Sequence, residues 1–205
     1  MENILDDNSL KSKKETDYSL YASFGNRTAA SILDMLVLIP IYILIGYNYQ
    51  VWKILSVDIL LNISPFFYKI IMEWKFGATV GKMAIKLRVV DYNLQKISLL
   101  SSSKRFSTYF FAYLPNIIFS YYLFNQEVFY TLSSEELDSL ILTYDSYWIN
   151  LTLSFVIWIG TCGVVLFSKK KQAAHDLIAK TYCVKLKELK NFKEVDLKLH
   201  HKNAN

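Results

Sequence analysis

A carboxylate stands inside the first long apolar run of the chain, where ionised side chains are rare. Asp34 lies in TAASILDMLVLIPIYILIG, residues 28–46, seven residues after Arg27. Seven residues are two helical turns, so both side chains share one helix face with the small Ala30 and Ser31 between them. A charge at the bilayer centre costs roughly 2.5–3.5 kcal/mol on insertion scales. Asp34 therefore needs a function or a partner that compensates for this cost.

Such a carboxylate can exchange a proton for a small cation, because a low dielectric disfavours its unpaired charged form. Asp34 would lie about 10 Å from the inner end of its helix. Polar residues of the other apolar runs reach a similar depth, namely Asn62, Asn116 and Thr161. The functional interpretation is an ion or proton site at this layer. The structural interpretation is a hydrogen-bonded network that holds the helices together. The residue types agree with both interpretations.

Arg27 needs a different partner, because helical side chains lean toward the N-terminus and carry it away from Asp34. The sequence KKKQAAHDLIAKTYCVK after the last apolar run offers Asp176. The sequence predicts an ion pair between Arg27 and Asp176 at the inner rim. The adjacent His175 has no second ligand at the spacing of a zinc site, so we predict neither metal binding nor catalysis there.

A glycine-rich motif, FGATVGKMAIKLRVVD at residues 76–91, follows the second apolar run. Gly77, Gly81 and Lys82 suggest a phosphate loop. The spacing is one residue short, however, and Met83 replaces the hydroxyl that would bind magnesium, so we exclude a nucleotide site. The apolar residues that follow favour a short strand or an interfacial segment.

Four apolar runs are long enough to form membrane-spanning helices that position these groups. They cover residues 28–46, 54–72, 106–124 and 147–167. The second is the weakest, since Asp58, Asn62 and Lys69 interrupt it. The mean hydropathy of +0.20 and the uneven distribution of the 20% charged residues agree with an integral membrane protein and exclude a disordered chain.

Positive charges predict the orientation of these spans. Of the 23 lysines and arginines, 21 lie in the three segments 1–27, 73–105 and 168–205. By the positive-inside rule, both termini are expected in the cytoplasm, with the chain in a cell membrane. The outer loop 125–146 is acidic and has no basic residue. It would either concentrate cations or be merely solvated, and Ser133 with Glu136 predicts a capping box in it.

The C-terminal tail alternates lysines with apolar residues at helical spacing. Those apolar residues are Leu186, Leu189, Phe192, Val195 and Leu199. The pattern predicts an amphipathic helix on the inner leaflet, held by anionic lipids.

With three motifs in this order, the chain resembles the RDD family of membrane proteins. The motifs are Arg27 through Asp34, the GATVGK loop, and QAAHDLIAKTYCV. The resemblance covers residues 18–187, between a polar tail (1–17) and a basic amphipathic tail (188–205). It implies that an arginine and two aspartates are characteristic. Arg27 and Asp34 match the first two, and the second aspartate corresponds to Asp176 or to Asp91. The resemblance also implies transport, with cation/proton antiport suggested for some members.

The sequence therefore predicts an all-α integral membrane protein with four transmembrane helices. Small-ion transport by cation/proton exchange is the first function, and a non-transporting scaffold or accessory subunit is the alternative. We predict no enzyme, cofactor or metal centre, because no nucleophile, base and metal ligands come together. The expected partners are the bilayer, anionic inner-leaflet lipids, a small cation and the proton, but no nucleic acid. Since four helices enclose little volume, a transport path would require a homo-oligomer.

Overall fold

The computed structural model describes residues 19–203 of the chain. Side chains are described throughout this range except at 111–112, 146, 150, 154, 158, 161–162 and 195–203. The predicted polar tail 1–17 lies outside the described residues, as does the side chain of Thr161.

The described chain is mostly helical. In order, its elements are α1 (Phe24–Tyr47), a π-helical turn (Asn48–Trp52), α2 (Leu55–Phe76), α3 (Val80–Ala84), β1 (Leu87–Asp91), α4 (Leu99–Phe124), α5 (Glu127–Thr131), α6 (Ser134–Thr143), α7 (Asp145–Phe167), α8 (Ala174–Ala179), β2 (Thr181–Lys185) and α9 (Leu186–Asn203). The four long helices α1, α2, α4 and α7 coincide with the four apolar runs.

Two described helices are long and apolar enough to cross a bilayer. They are α1 with its π-helical continuation, which has a mean hydropathy of 2.2, and α2, with a mean hydropathy of 1.4. A third candidate is one bent span in which α6 and the segment Tyr147–Ile157 meet at 70°. The structure thus contains two such helices, or three if the bent pair is one span.

Local sequence signals set several helix ends. Ser23 caps α1, because its hydroxyl accepts a hydrogen bond from the Asn26 backbone nitrogen at 3.2 Å. Gly77 ends α2 in the left-handed conformation with φ of 76°, which glycine adopts without strain. The capping box predicted from Ser133 and Glu136 is confirmed at the start of α6.

A two-stranded antiparallel sheet corrects the all-α prediction. Its register runs from Leu87 opposite Lys185 to Asp91 opposite Thr181. The strand alternative for the residues after the GATVGK loop is therefore confirmed. An isolated hairpin-sized sheet is marginal in water. This one is stabilised because its apolar side chains pack with their neighbours in a buried cluster, namely Leu20, Tyr21, Val90, Tyr182, Val184 and Leu189.

The helix of the tail, α9, begins at Leu186, directly after β2. It buries Leu189 in the cluster on the sheet. Phe192, one turn further along, is exposed. The first turn of the tail helix thus packs on the protein itself.

The elements divide into two ends of the helix bundle. The charged end comprises α3, β1, α8 and β2, and the opposite end comprises the π-helical turn, α5 and α6. At the opposite end, part of the acidic loop packs on α4 through an apolar cluster, namely Phe119, Leu123, Phe124, Phe129 and Leu137. Its glutamates stay exposed.

Candidate functional site

Asp176 lies at the centre of the charged end, fully buried between two arginines. It is in the first turn of α8, and its Oδ2 is 2.7 Å from Nη1 of Arg27 on α1. Its Oδ1 bonds to Nη1 of Arg105 on α4. The ion pair predicted between Arg27 and Asp176 is present. This pair connects α8, which follows the last long helix, to the start of α1.

Arg105 connects this pair to a second buried carboxylate. Its Nε lies 2.7 Å from Oε2 of Glu73, which is on α2 and fully buried. Lys82 of α3 bonds to the other oxygen of Glu73. The network therefore contains three cations and two carboxylates, contributed by α1, α2, α3, α4 and α8. Buried charges persist in proteins only when they are paired in this way.

The two groups of α8 have strongly shifted protonation equilibria. Burial disfavours the charged form of Asp176, but the nearby Arg105 and Arg27 outweigh burial and hold the pKa of that carboxyl well below its usual range. Burial lowers the pKa of His175 to about 3 against the attraction of Asp176, and the neighbouring arginines lower it further. At neutral pH, Asp176 is thus ionised and His175 is neutral.

Asp34 lies apart from the network and has neutral partners. Its Oδ1 accepts hydrogen bonds from the Tyr68 hydroxyl at 3.0 Å and from the Gly81 backbone nitrogen at 2.8 Å. Its Oδ2 accepts one from the Thr79 hydroxyl at 2.6 Å. Thr79 is the N-cap residue of α3, so the carboxylate sits at the amino end of that short helix. These three donors can stabilise its charge without a basic counter-ion.

Gly81 permits this arrangement because α3 lies directly against α1. A Cβ at Gly81 would overlap the carbonyl oxygen of Ala30 and come within 2.8 Å of the Asp34 backbone nitrogen. The Ala30 side chain is itself fully buried. The small residues between Arg27 and Asp34 therefore do allow close packing, and their neighbour is the GATVGK loop.

A pocket of about 60 Å³ connects the two carboxylate systems. Its wall includes Asp34 and Thr79 as well as Arg27, Arg105 and His175. Lys69 and Lys82 also line it, and Phe24, Phe106 and Val165 supply apolar surface. The pocket is large enough for a small ion and a few waters.

The described side chains place Asn62 and Asp34 in separate hydrogen bonds. Asn62 donates to the backbone carbonyl of Asp58 in its own helix, at 2.9 Å. Asp34 takes its hydrogen bonds from Tyr68, Thr79 and Gly81. Asn116 lies half-buried on α4, and the side chain of Thr161 is outside the described residues, so the shared polar layer stays a prediction. Depth along the long helices could not indicate Thr79 and Gly81, because they belong to a loop that folds back.

Sequence analysis missed four residues of the site, namely Tyr68, Glu73, Thr79 and Arg105. Glu73 and Arg105 lie at the ends of apolar runs, where a charged side chain ordinarily reaches water and attracts no attention. One signal was available. Glu73 and Lys69 are four residues apart on a helix that already carries Asp58, so this span has more ionisable groups than lipid contact would allow.

A known family of proteins matches this chain over most of its length. The sequence model of the RDD family matches residues 21–180, which is most of the chain. The chain belongs to the RDD family. No curated protein and no solved structure matches it.

In this RDD protein the three separated motifs meet at one place. Asp34 of the first motif binds Thr79 and Gly81 of the second, and Arg27 of the first binds Asp176 of the third. Of the two candidates for the second aspartate, Asp176 is the one that contacts Arg27. Asp91 accepts hydrogen bonds from the backbone nitrogens of Asn93 and Gln95 in a turn after β1.

The contact between α3 and α1 gives a first prediction. Gly81→Ala should lower the thermal unfolding midpoint in detergent strongly, because the added methyl group must displace backbone atoms of α1. Gly25→Ala is the matched control, since a Cβ there meets nothing within 4 Å. It should leave the midpoint unchanged or raise it slightly, as alanine favours helix. Equal effects of the two substitutions would contradict the packing described.

The neutral, buried His175 gives a second prediction. Its folded pKa of about 3 lies below the ordinary value of 6.5, so the unfolded chain binds a proton that the folded chain refuses. Its contribution should therefore reduce stability as pH falls from about 6.5, by roughly 1 kcal/mol per pH unit. His175→Gln should flatten the fall of the unfolding midpoint between about pH 6 and pH 4.5. An unchanged slope in the variant would show that His175 is accessible to protons in the folded state.

Proposed function

We propose that this RDD protein transports small ions across a cell membrane by exchanging a cation for a proton at Asp34. The observation that carries the proposal is a carboxylate with neutral partners at a pocket that opens at the charged end. A carboxylate with a fixed basic counter-ion would gain little from a mobile cation. Asp34 has three neutral donors, so a cation or a proton can each neutralise it in turn.

The buried ion network supports the proposal because it pairs three of the cations that line the pocket. Arg27 and Arg105 are paired with Asp176 and Glu73, and Lys82 is paired with Glu73, so the network carries one net positive charge in place of three. These cations are therefore engaged, which weakens their repulsion of an entering cation. In the proposed mechanism, the Arg27–Asp176 pair keeps the charged rim in order while Asp34 changes its occupant.

The proposal includes four membrane spans, α1, α2, α4 and α7, with both termini in the cytoplasm. The sorting of lysines and arginines supports this orientation, because the segments they occupy make up the charged end and the tails. Anionic inner-leaflet lipids are the proposed partners of α9, whose exposed side carries Lys187, Lys190 and Lys193. The pocket has room for an ion, but four helices enclose too little further space for a path across the membrane. A homo-oligomer is therefore part of the proposal.

Reporter fusions test this orientation. A reporter that is active only outside the cytoplasm should be active when it is fused after residue 135, in the loop of the opposite end. The same reporter should be inactive when fused after residue 95 or at the C-terminus. Activity at residue 95 would contradict the orientation.

Exchange in everted vesicles tests the transport function. Addition of a sodium or potassium salt should move protons through the wild-type protein, recorded with a pH-sensitive dye. Asp34→Asn should abolish this response, because an amide has no charge for a proton or a cation to neutralise. Asp138→Asn, which removes an exposed carboxylate of the acidic loop, is the control and should keep it. A wild-type protein without cation-dependent proton movement would overturn the proposal.

The second candidate is a non-transporting membrane scaffold or accessory subunit. The same network favours it, since five elements held by buried ion pairs form a rigid platform at the charged end. For this function, Asp34→Asn should release a partner protein that co-purifies with the wild type. Vesicles that contain the wild type or the variant should both show no exchange.

A further inference from the structure

A fourth buried carboxyl group lies at the opposite end of the bundle, far from the pocket. Asp58 is in the first turn of α2 and is only 1% exposed. Neither of its oxygens meets a donor within hydrogen-bonding geometry. Ten residues separate it from Tyr68, the partner of Asp34, so about 15 Å of helix lies between the two carboxyl groups.

Three polar side chains lie close enough to this carboxyl to ease its charge, but none makes a hydrogen bond of good geometry with it. They are Tyr49 of the π-helical turn, Ser120 of α4 and Asn62 of α2. The hydroxyls of Tyr49 and Ser120 bond to each other at 2.9 Å. The Asn62 amide donates to the Asp58 backbone carbonyl at 2.9 Å.

The nearby Lys53 has other partners. Its ammonium donates to the carbonyl oxygens of Phe129 and Leu132, at 2.9 and 3.1 Å. Tyr49 is the titratable group that faces Asp58 among the described residues. The described residues thus provide no counter-ion and no hydrogen bond of good geometry for an Asp58 carboxylate.

An ionised carboxylate buried under these conditions would be very costly, whereas a carboxylic acid carries no net charge. The other buried acids have what Asp58 lacks. Asp176 and Glu73 have arginine or lysine partners, and Asp34 has three donors. We propose that Asp58 holds a proton in this conformation and is the proton-binding site of the opposite end. Its place in an exchange cycle rests on the proposed function, but its protonation does not.

Proton release from Asp58 would require water at the opposite end. When the bond between Tyr49 and Ser120 opens, the O–H bond of the acid breaks, its electron pair stays on Asp58, and the proton passes to water. The element that would move is the π-helical turn. Such turns are frequent at functional sites because they depart from the regular helix ladder. Asp34 at the charged end and Asp58 at the opposite end would then serve the two sides of the membrane.

Infrared difference spectroscopy of the full-length chain in lipid nanodiscs tests this assignment. At neutral pH the wild type should show the C=O band of a protonated carboxyl group, shifted in heavy water. Asp58→Asn should remove the band, and Asp34→Asn should retain it, because the band belongs to Asp58 and the Asp34 carboxylate has three hydrogen-bond donors of its own. Asp58→Glu should move the band without removing it. It serves as a second variant if Asp58→Asn does not fold.

Two results would overturn the inference. The first is a wild type without a protonated carboxyl band at neutral pH. The second is a band that survives in Asp58→Asn unchanged. The spectrum needs no transport, so it distinguishes this inference from the exchange proposal. A band assigned to Asp58 in a protein that shows no exchange would support the protonation and contradict the transport.

Discussion

The structure depends on one electrostatic constraint, which is that a buried carboxylate must be compensated where it stands. Asp176 meets this constraint by binding Arg27 from the first long helix and Arg105 from the third. Glu73 meets it by binding Arg105 and Lys82. Because three of these four ion pairs join residues at least 32 positions apart, the requirement for charge pairing also assembles the charged end. The short helices α3 and α8, too small to be stable alone, are held in place by these pairs.

The same constraint separates the acids of this protein by their chemistry. Asp176 and Glu73 are locked by cations and cannot change their charge at ordinary pH without breaking the fold. Asp34 is compensated by hydroxyl and backbone donors instead. Asp58 has no counter-ion and no hydrogen bond of good geometry among the described residues, and we propose that it holds a proton. Our proposals for ion and proton exchange therefore concern the two acids that the ion pairs leave out.

Sequence patterns predicted the parts of this architecture that follow from local rules. Hydropathy located the long helices, and side-chain direction predicted that Arg27 would bind Asp176. The donors Tyr68, Thr79 and Gly81 of Asp34 were not predicted, because depth along straight helices cannot show that Gly81 lets a loop pack against Ala30. Glu73 and Arg105 were missed because a charge at the end of an apolar run looks solvated. The strand β2 was missed because its partner, β1, lies about 90 residues earlier.

A double-mutant cycle between Arg27 and Asp176 tests the central claim, that their buried pairing holds the charged end together. Arg27→Gln, Asp176→Asn and the double variant would be compared with the wild type by thermal unfolding in detergent. Each single substitution should cost up to roughly 3–5 kcal/mol, because Arg27→Gln leaves Asp176 with one arginine in place of two and Asp176→Asn leaves Arg27 without its carboxylate. The double variant should lose clearly less than the sum. Strictly additive losses would contradict the account, since they would mean that the two charges do not depend on each other.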